Sequence, residues 1–182
     1  MTDSQSSGQV SDLTPMQIGE SFIGEGAEAA HVNTVLGSRS GPAGTAWATA
    51  LATPRAGHVP FVAVLRPGLP AKPTTLFVNK AAVESETHAD LTWGAAQAGV
   101  AAGVMDAVAE GVVPEAEADD LVLIAAVWVN PKAAKADLVY ANNREATRCA
   151  LAAGATGSPP VQDALAARHA PTNPFYTPQG DV

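Results

Sequence analysis

Apolar and polar positions alternate along two neighbouring stretches of the chain, Met16 to Ile23 (MQIGESFI) and Ala30 to Leu36 (AHVNTVL), with Gly24 and Gly26 between them. A period of two places one set of side chains on a buried face, so the pair predicts a β-hairpin. SRSGP (Ser38 to Pro42) breaks the pattern, and Pro42 suits the first position of a helix running through Thr45, Trp47 and Leu51. Phe61 to Leu65 and Thr75 to Asn79 read as buried strands. Between them RPGLPAKP, with Pro67, Pro70 and Pro73, argues against regular structure.

From about Asp90 to Gly111 the period changes. Leu91, Ala95, Ala98, Ala102, Met105 and Val108 recur at spacings of three and four, which predicts a helix whose alanines and glycines allow a close approach to its neighbours. Pro114 to Asp120 (PEAEADD) follows as a short acidic turn or helix. The run Leu121 to Val129 (LVLIAAVWV) is short and rich in β-branched residues, and predicts a central strand. Asn130 and Pro131 are placed as N-cap and first-turn proline of a long helix that Gly154 would stop. The proline- and alanine-rich end reads as an extended arm. These elements together predict an α+β two-layer sandwich without internal repeats. One domain is expected over residues 16–176, with a disordered tail at 1–15 and a flexible end at 177–182.

Composition narrows the function classes. Of 182 residues, 47% are hydrophobic and 15% charged, which excludes a disordered, highly charged chain. Aromatics are only 5% and much of the apolar content is alanine, so each residue buries little surface and some burial between subunits is expected. Ten lysines and arginines against 18 acids give a net charge of -8, which disfavours nucleic acid and anionic membranes as partners. The one cysteine, Cys149, permits no intrachain disulfide, and the polar start lacks the pattern of a secretory signal. The longest apolar run falls well short of the roughly 20 residues needed to span a bilayer. A soluble, cytoplasmic chain is the expectation.

Several familiar chemistries lack their context. Gly24 to Ala29 (GEGAEA) fits the dinucleotide-binding pattern formally, but it precedes a strand rather than a helix and carries two glutamates. His31, His58, His88 and His169 are scattered, so no metal constellation is expected. Cys149, among alanines, reads as a buried small hydrophobe. What remains is His31, whose side chain titrates near neutrality and can donate and recover a proton, with Asn33 two residues on and on the same face of the strand. Lys80, after the strand TLFVN, is either an anion clasp, an amine that meets a carbonyl, or a solvated strand end. Gln97 is either an amide ligand or a surface residue.

Three long collinear segments, IGESFIGEGAEAAHVNTVLGSRSGPAGTAW, FVAVLRPGLPAKPTTLFVNKAAV and GAAQAGVAAGVMDAVAEGVVPEAEADDLVLIAAVWV, together with TNPF at Thr172 to Phe175, resemble the formaldehyde-activating enzyme family. The resemblance implies a lyase of the hydro-lyase type. It would join formaldehyde to tetrahydromethanopterin, giving the methylene-bridged pterin and water, in one-carbon metabolism or formaldehyde detoxification, with no metal. It also implies a ribosomal-protein-type fold and a homopentamer, with the pterin between neighbouring subunits. His31 falls on the family's catalytic histidine, in G-x-G-x-E-x-A-H. Lys80 and Gln97 fall on its substrate-binding lysine and glutamine. Three further substrate-contacting positions depart from the family pattern: Asn33 stands for an aspartate, Ala82 for a threonine and Val62 for a leucine. Those departures touch the acceptor more than the chemistry at His31. Two other readings therefore stand beside the first: a non-catalytic binder of formaldehyde or a pterin, and the same chemistry with another acceptor such as tetrahydrofolate.

Overall fold

A computed structural model describes residues 15–178; most of the expected tail and the last residues of the expected flexible end lie outside the described residues. Strands β1 (Gln17–Ile23) and β2 (Ala30–Ser38) form the expected antiparallel hairpin, joined through a short 3-10 turn at Gly26–Glu28. Helix α1 (Pro42–Ala52) begins at Pro42, whose missing N–H costs nothing in a first turn. Short strands β3 (Phe61–Val62), β4 (Val64–Arg66) and β5 (Leu69–Pro70) follow, then β6 (Thr74–Asn79). A helical stretch runs as α2 (Glu86–Asp90), a π-helical segment at Leu91–Ala96, and α3 (Gln97–Ala109). Strand β7 (Leu121–Trp128), helix α4 (Ala136–Thr156) and helix α5 (Val161–Ala167) complete the chain. No described helix is long and apolar enough to cross a membrane.

The main sheet has the order β1-β2-β7-β6-β3. Only β6 and β7 are parallel, and the helical stretch from α2 to α3 makes the crossover that a parallel pair requires. The fold is therefore mixed α+β, with LVLIAAVWV in the middle of the sheet as its pattern implied. Register divides the side chains between two faces. Val32, Leu36, Leu123, Ala125, Val127 and Phe77 point to one, where α4 packs on β1 and β2 and α3 packs on α4. Phe61 stacks on Phe77 there, ring centroids 5.0 Å apart.

The small residues of α3 serve close packing. A Cβ on Gly99 would lie 2.4 Å from the Tyr140 carbonyl oxygen, and one on Gly103 would lie 2.3 Å from that of Arg144. Gly19 of β1 meets the Ala150 carbonyl in the same way. On the opposite face, α1 touches one end of β2 and β7, with Ala43 against Gly37. Sheet covering is thus not confined to one side, as a plain two-layer sandwich would have it.

Four expectations need correction. RPGLPAKP is not irregular: Gly68, at φ 79°, turns the chain into a β4-β5 hairpin in which Pro70 pairs with Val64. Asn130 and Pro131 do not start α4. The Asn130 side chain accepts the Lys132 N–H and its carbonyl accepts the Ala133 N–H, so the capping chemistry closes a turn instead. Gly154 lies inside α4, where the bare Cα lets the helix approach the Ile18 backbone; the stop is Gly157, at φ 63°. The end of the chain is not an extended arm throughout, since α5 and a turn bridging Asn173 to Tyr176 interrupt it.

Candidate active site on the open face of the sheet

The face of the sheet turned away from α3 and α4 carries Ile18, Glu20 and Phe22 on β1, His31, Asn33 and Val35 on β2, and Ala126 and Trp128 on β7. Hairpin register sets Glu20 opposite Asn33 and Phe22 opposite His31, while His31 faces Trp128 on the other side. Lys80 follows β6 directly, and its N–H donates to the Val127 carbonyl at 2.7 Å, which extends the parallel pairing by one step. Asn79 firms that strand end by donating to the carbonyls of Gly57 and Ala81. Strand ends from both halves of the sheet therefore deliver their side chains to one place.

There the polar groups form a chain. Lys80 Nζ donates to Asn33 Oδ1 at 2.7 Å and lies 3.1 Å from His31 Nδ1, while His31 Nε2 is 2.9 Å from Glu20 Oε1. An ammonium is only a donor and a carboxylate only an acceptor, so a neutral His31 accepts at Nδ1 and carries its hydrogen on Nε2, toward Glu20. Burial and the Lys80 charge lower the proton affinity of His31, and Glu20 opposes them. Burial likewise lowers that of Lys80, against the same carboxylate.

A cavity of about 650 Å³ opens on these groups, lined by Glu20, Phe22, His31, Lys80 and Trp128 and roofed by Thr172, Asn173, Pro174 and Phe175. Phe175 meets Trp128 edge to face at 5.6 Å, which fastens the late TNPF segment over the site. Apolar walls around a few convergent polar groups suit a flat heterocycle, and the histidine can move a proton at the wall.

Of the residues singled out from the sequence, His31, Asn33 and Lys80 come together. Lys80 is a half-buried donor rather than a solvated strand end. Val62 and Gln97 lie elsewhere, in a groove formed with Val59, Phe61, Val64 and Trp93. Gln97 is no surface residue: it is 7% exposed, and its amide brackets Val64 by accepting that residue's N–H and donating to its carbonyl. Ala82 is exposed beside Gly57 and does not line the cavity. Cys149 is half-buried and bonded to Glu145, not enclosed by alanine, and burial pushes its thiol up. His88 is buried and bridges the Glu84 N–H and the Val129 carbonyl.

Sequence reasoning missed Glu20, Phe22 and Trp128. A glutamate at an outward position of an amphipathic strand looks like a solvated residue. Counting back across the Gly24 to Ala29 turn from His31 would have placed it on the same face.

A family model described as Formaldehyde-activating enzyme (Fae) matches residues 18–176. The chain is 44% identical to a protein of Methanosarcina barkeri named 5,6,7,8-tetrahydromethanopterin hydro-lyase, over 91% of this chain and 93% of that one. It is 43% identical to a protein of Methanococcoides burtonii named Bifunctional enzyme Fae/Hps, over 82% of this chain. A protein of Archaeoglobus fulgidus with the same name is 42% identical over 87% of this chain. This chain spans only 38% and 40% of the length of those two bifunctional relatives.

Proposed function

The chain belongs to the formaldehyde-activating enzyme family, and on that premise we propose that it condenses formaldehyde with tetrahydromethanopterin, releasing water, as a lyase. The observation that carries this reading is the hydrogen-bonded chain from Lys80 through His31 to Glu20 at the wall of an apolar cavity.

The difficult step of the condensation is loss of oxygen. When one pterin nitrogen adds to formaldehyde, the carbinolamine carries a hydroxyl that departs poorly as hydroxide. His31 supplies the proton on which it leaves as water, and the second nitrogen closes the ring on the resulting iminium. Lys80 recharges the imidazole through Nδ1, and Glu20 stabilises the imidazolium through Nε2. Phe22, Trp128 and Phe175 provide flat apolar contacts for the pterin and hold both of its nitrogens in reach of one carbon. No metal is needed for this sequence of proton transfers.

The reading extends to a homopentamer in the cytoplasm, with the ribosomal-protein-type topology of the family. Its support is the second groove: Val62 and Gln97 line it and not the His31 cavity of their own chain, and Trp93 beside them is 50% exposed. Set against a neighbouring subunit, that groove would form the far wall of a shared pterin site. Asn33 keeps the alternative acceptors in play, because its neutral oxygen is engaged by Lys80 and offers a pterin edge less than a carboxylate would.

The test is to measure condensation of formaldehyde with tetrahydromethanopterin, and separately with tetrahydrofolate, against the uncatalysed rate. Acceleration is expected with tetrahydromethanopterin, and His31→Ala should lower kcat by about 10²–10⁴-fold, the usual contribution of a positioned acid. A folded protein that accelerates neither reaction would overturn the enzymatic reading and leave the binder.

A further inference from the structure

The geometry points to Lys80 as a nucleophile that captures formaldehyde on its own nitrogen before the acceptor takes the carbon. This rests on the proposed function only in taking formaldehyde as the substrate. Two acceptors lie within hydrogen-bond reach of Nζ: Asn33 Oδ1 at 2.7 Å and His31 Nδ1 at 3.1 Å. A neutral amine has two N–H bonds and one lone pair. With both hydrogens engaged by those two acceptors, the remaining tetrahedral direction holds the lone pair, and Lys80 lines the cavity. The partner at 2.7 Å is a neutral amide, which holds the ammonium charge less firmly than a carboxylate does. A carboxylate there would hold the charge on. Of the charged groups facing the site, Glu20 bonds to His31 and acts on Lys80 only through its charge, which opposes the effect of burial. Burial already loosens the Lys80 proton, a usual means of making a lysine nucleophilic.

The step balances without an oxidant or reductant. Lys80 first gives a proton to solvent, so that His31 Nδ1 stays an acceptor for an amine hydrogen. Its lone pair forms the C–N bond while the carbonyl π pair moves to oxygen, which takes a proton from solvent. The nitrogen then passes one proton to His31 Nδ1, and His31 delivers it to the hydroxyl. Water leaves as the nitrogen lone pair closes a methylene iminium. The sum is a lysine ammonium and formaldehyde going to a lysine iminium and water. An acceptor nitrogen then adds to the iminium carbon. Lys80 departs as the amine, its proton returned, and the carbon stays at the oxidation level of formaldehyde throughout.

Cyanoborohydride tests this by reducing an iminium to N-methyllysine. The full chain is treated with limiting formaldehyde and the reductant at neutral pH without any pterin, and methylation is followed at each lysine by peptide mass spectrometry. Lys132 and Lys135 are exposed and serve as internal references. Lys80 should be methylated severalfold faster than either, because burial leaves more of it as the free amine, and Asn33→Asp should remove much of that advantage. Modification of Lys80 no faster than of Lys132 and Lys135 overturns the inference. Condensation without reductant is measured on the same preparation. Turnover without preferential trapping leaves His31 acid catalysis standing alone, whereas trapping without turnover sustains the capture and removes the pterin reaction.

Discussion

His31 is held between a cation and an anion, and the balance between them sets when it carries a proton. Burial and Lys80 pull its affinity down, and Glu20 pulls it up. In Glu20→Gln only the lowering influences remain, so the imidazolium forms at lower pH. The pH midpoint of the His31-dependent step should therefore move to lower pH, with the alkaline side of a kcat profile losing activity first. An unchanged midpoint would show that Glu20 does not reach the imidazole in solution. His31 and Asn33 were legible in the sequence because the period of two fixes their common face, and Lys80 because it ends an apolar strand. Glu20 was not. Its role depends on which residue lies across the hairpin, and the six-residue turn between the strands conceals that register from a reader of either strand alone.

At the scale of elements, composition said more than capping signals did. Alanine and glycine in the 90–111 stretch predicted close packing, and α3 meets α4 so tightly that Gly99 and Gly103 have carbonyls where a side chain would begin. Gly103→Ala should consequently destabilise the fold by about 1–3 kcal/mol, the usual cost of overpacking, read as a lowered midpoint in chemical unfolding. The obstacle is backbone of α4, which cannot swing aside as a long side chain could. Local signals failed where two elements competed for them. Asn130 has the chemistry of a helix cap but closes a turn, and Gly154 has that of a helix stop but faces β1. Only the packing partner distinguishes these uses. The π-helical segment at Leu91–Ala96 likewise has no signature in the period of three and four. It carries Trp93 on the surface and delivers Gln97 to Val64.

For the whole molecule, the scarcity of large side chains has a visible counterpart. Val59 and Trp93 are exposed in the groove that holds Val62 and Gln97. Apolar groups grouped on a surface mark a contact region. Light scattering should give the mass of a pentamer, and Trp93→Glu should shift the population toward smaller species with reduced condensation. A wild-type monomer with full activity would dismiss the shared-site arrangement. Sequence patterns conveyed the strands and helices but not the separation of the two grooves, because each is lined by side chains from several distant segments.

The order of strands in the main sheet also bears on how the protein survives its own reagent. Glu20 and His31 belong to one hairpin and can meet by local closure. Lys80 joins them only once β7 lies between β2 and β6, and pairings between segments so distant in sequence form slowly. Pulsed reductive labelling during refolding is expected to show selective Lys80 methylation only after the hairpin amides are protected. Until then the lysine keeps an ordinary affinity for its proton. A chain emerging among molecules of an amine cross-linker thus acquires its most reactive nitrogen last, when the groups that can discharge it are already in position.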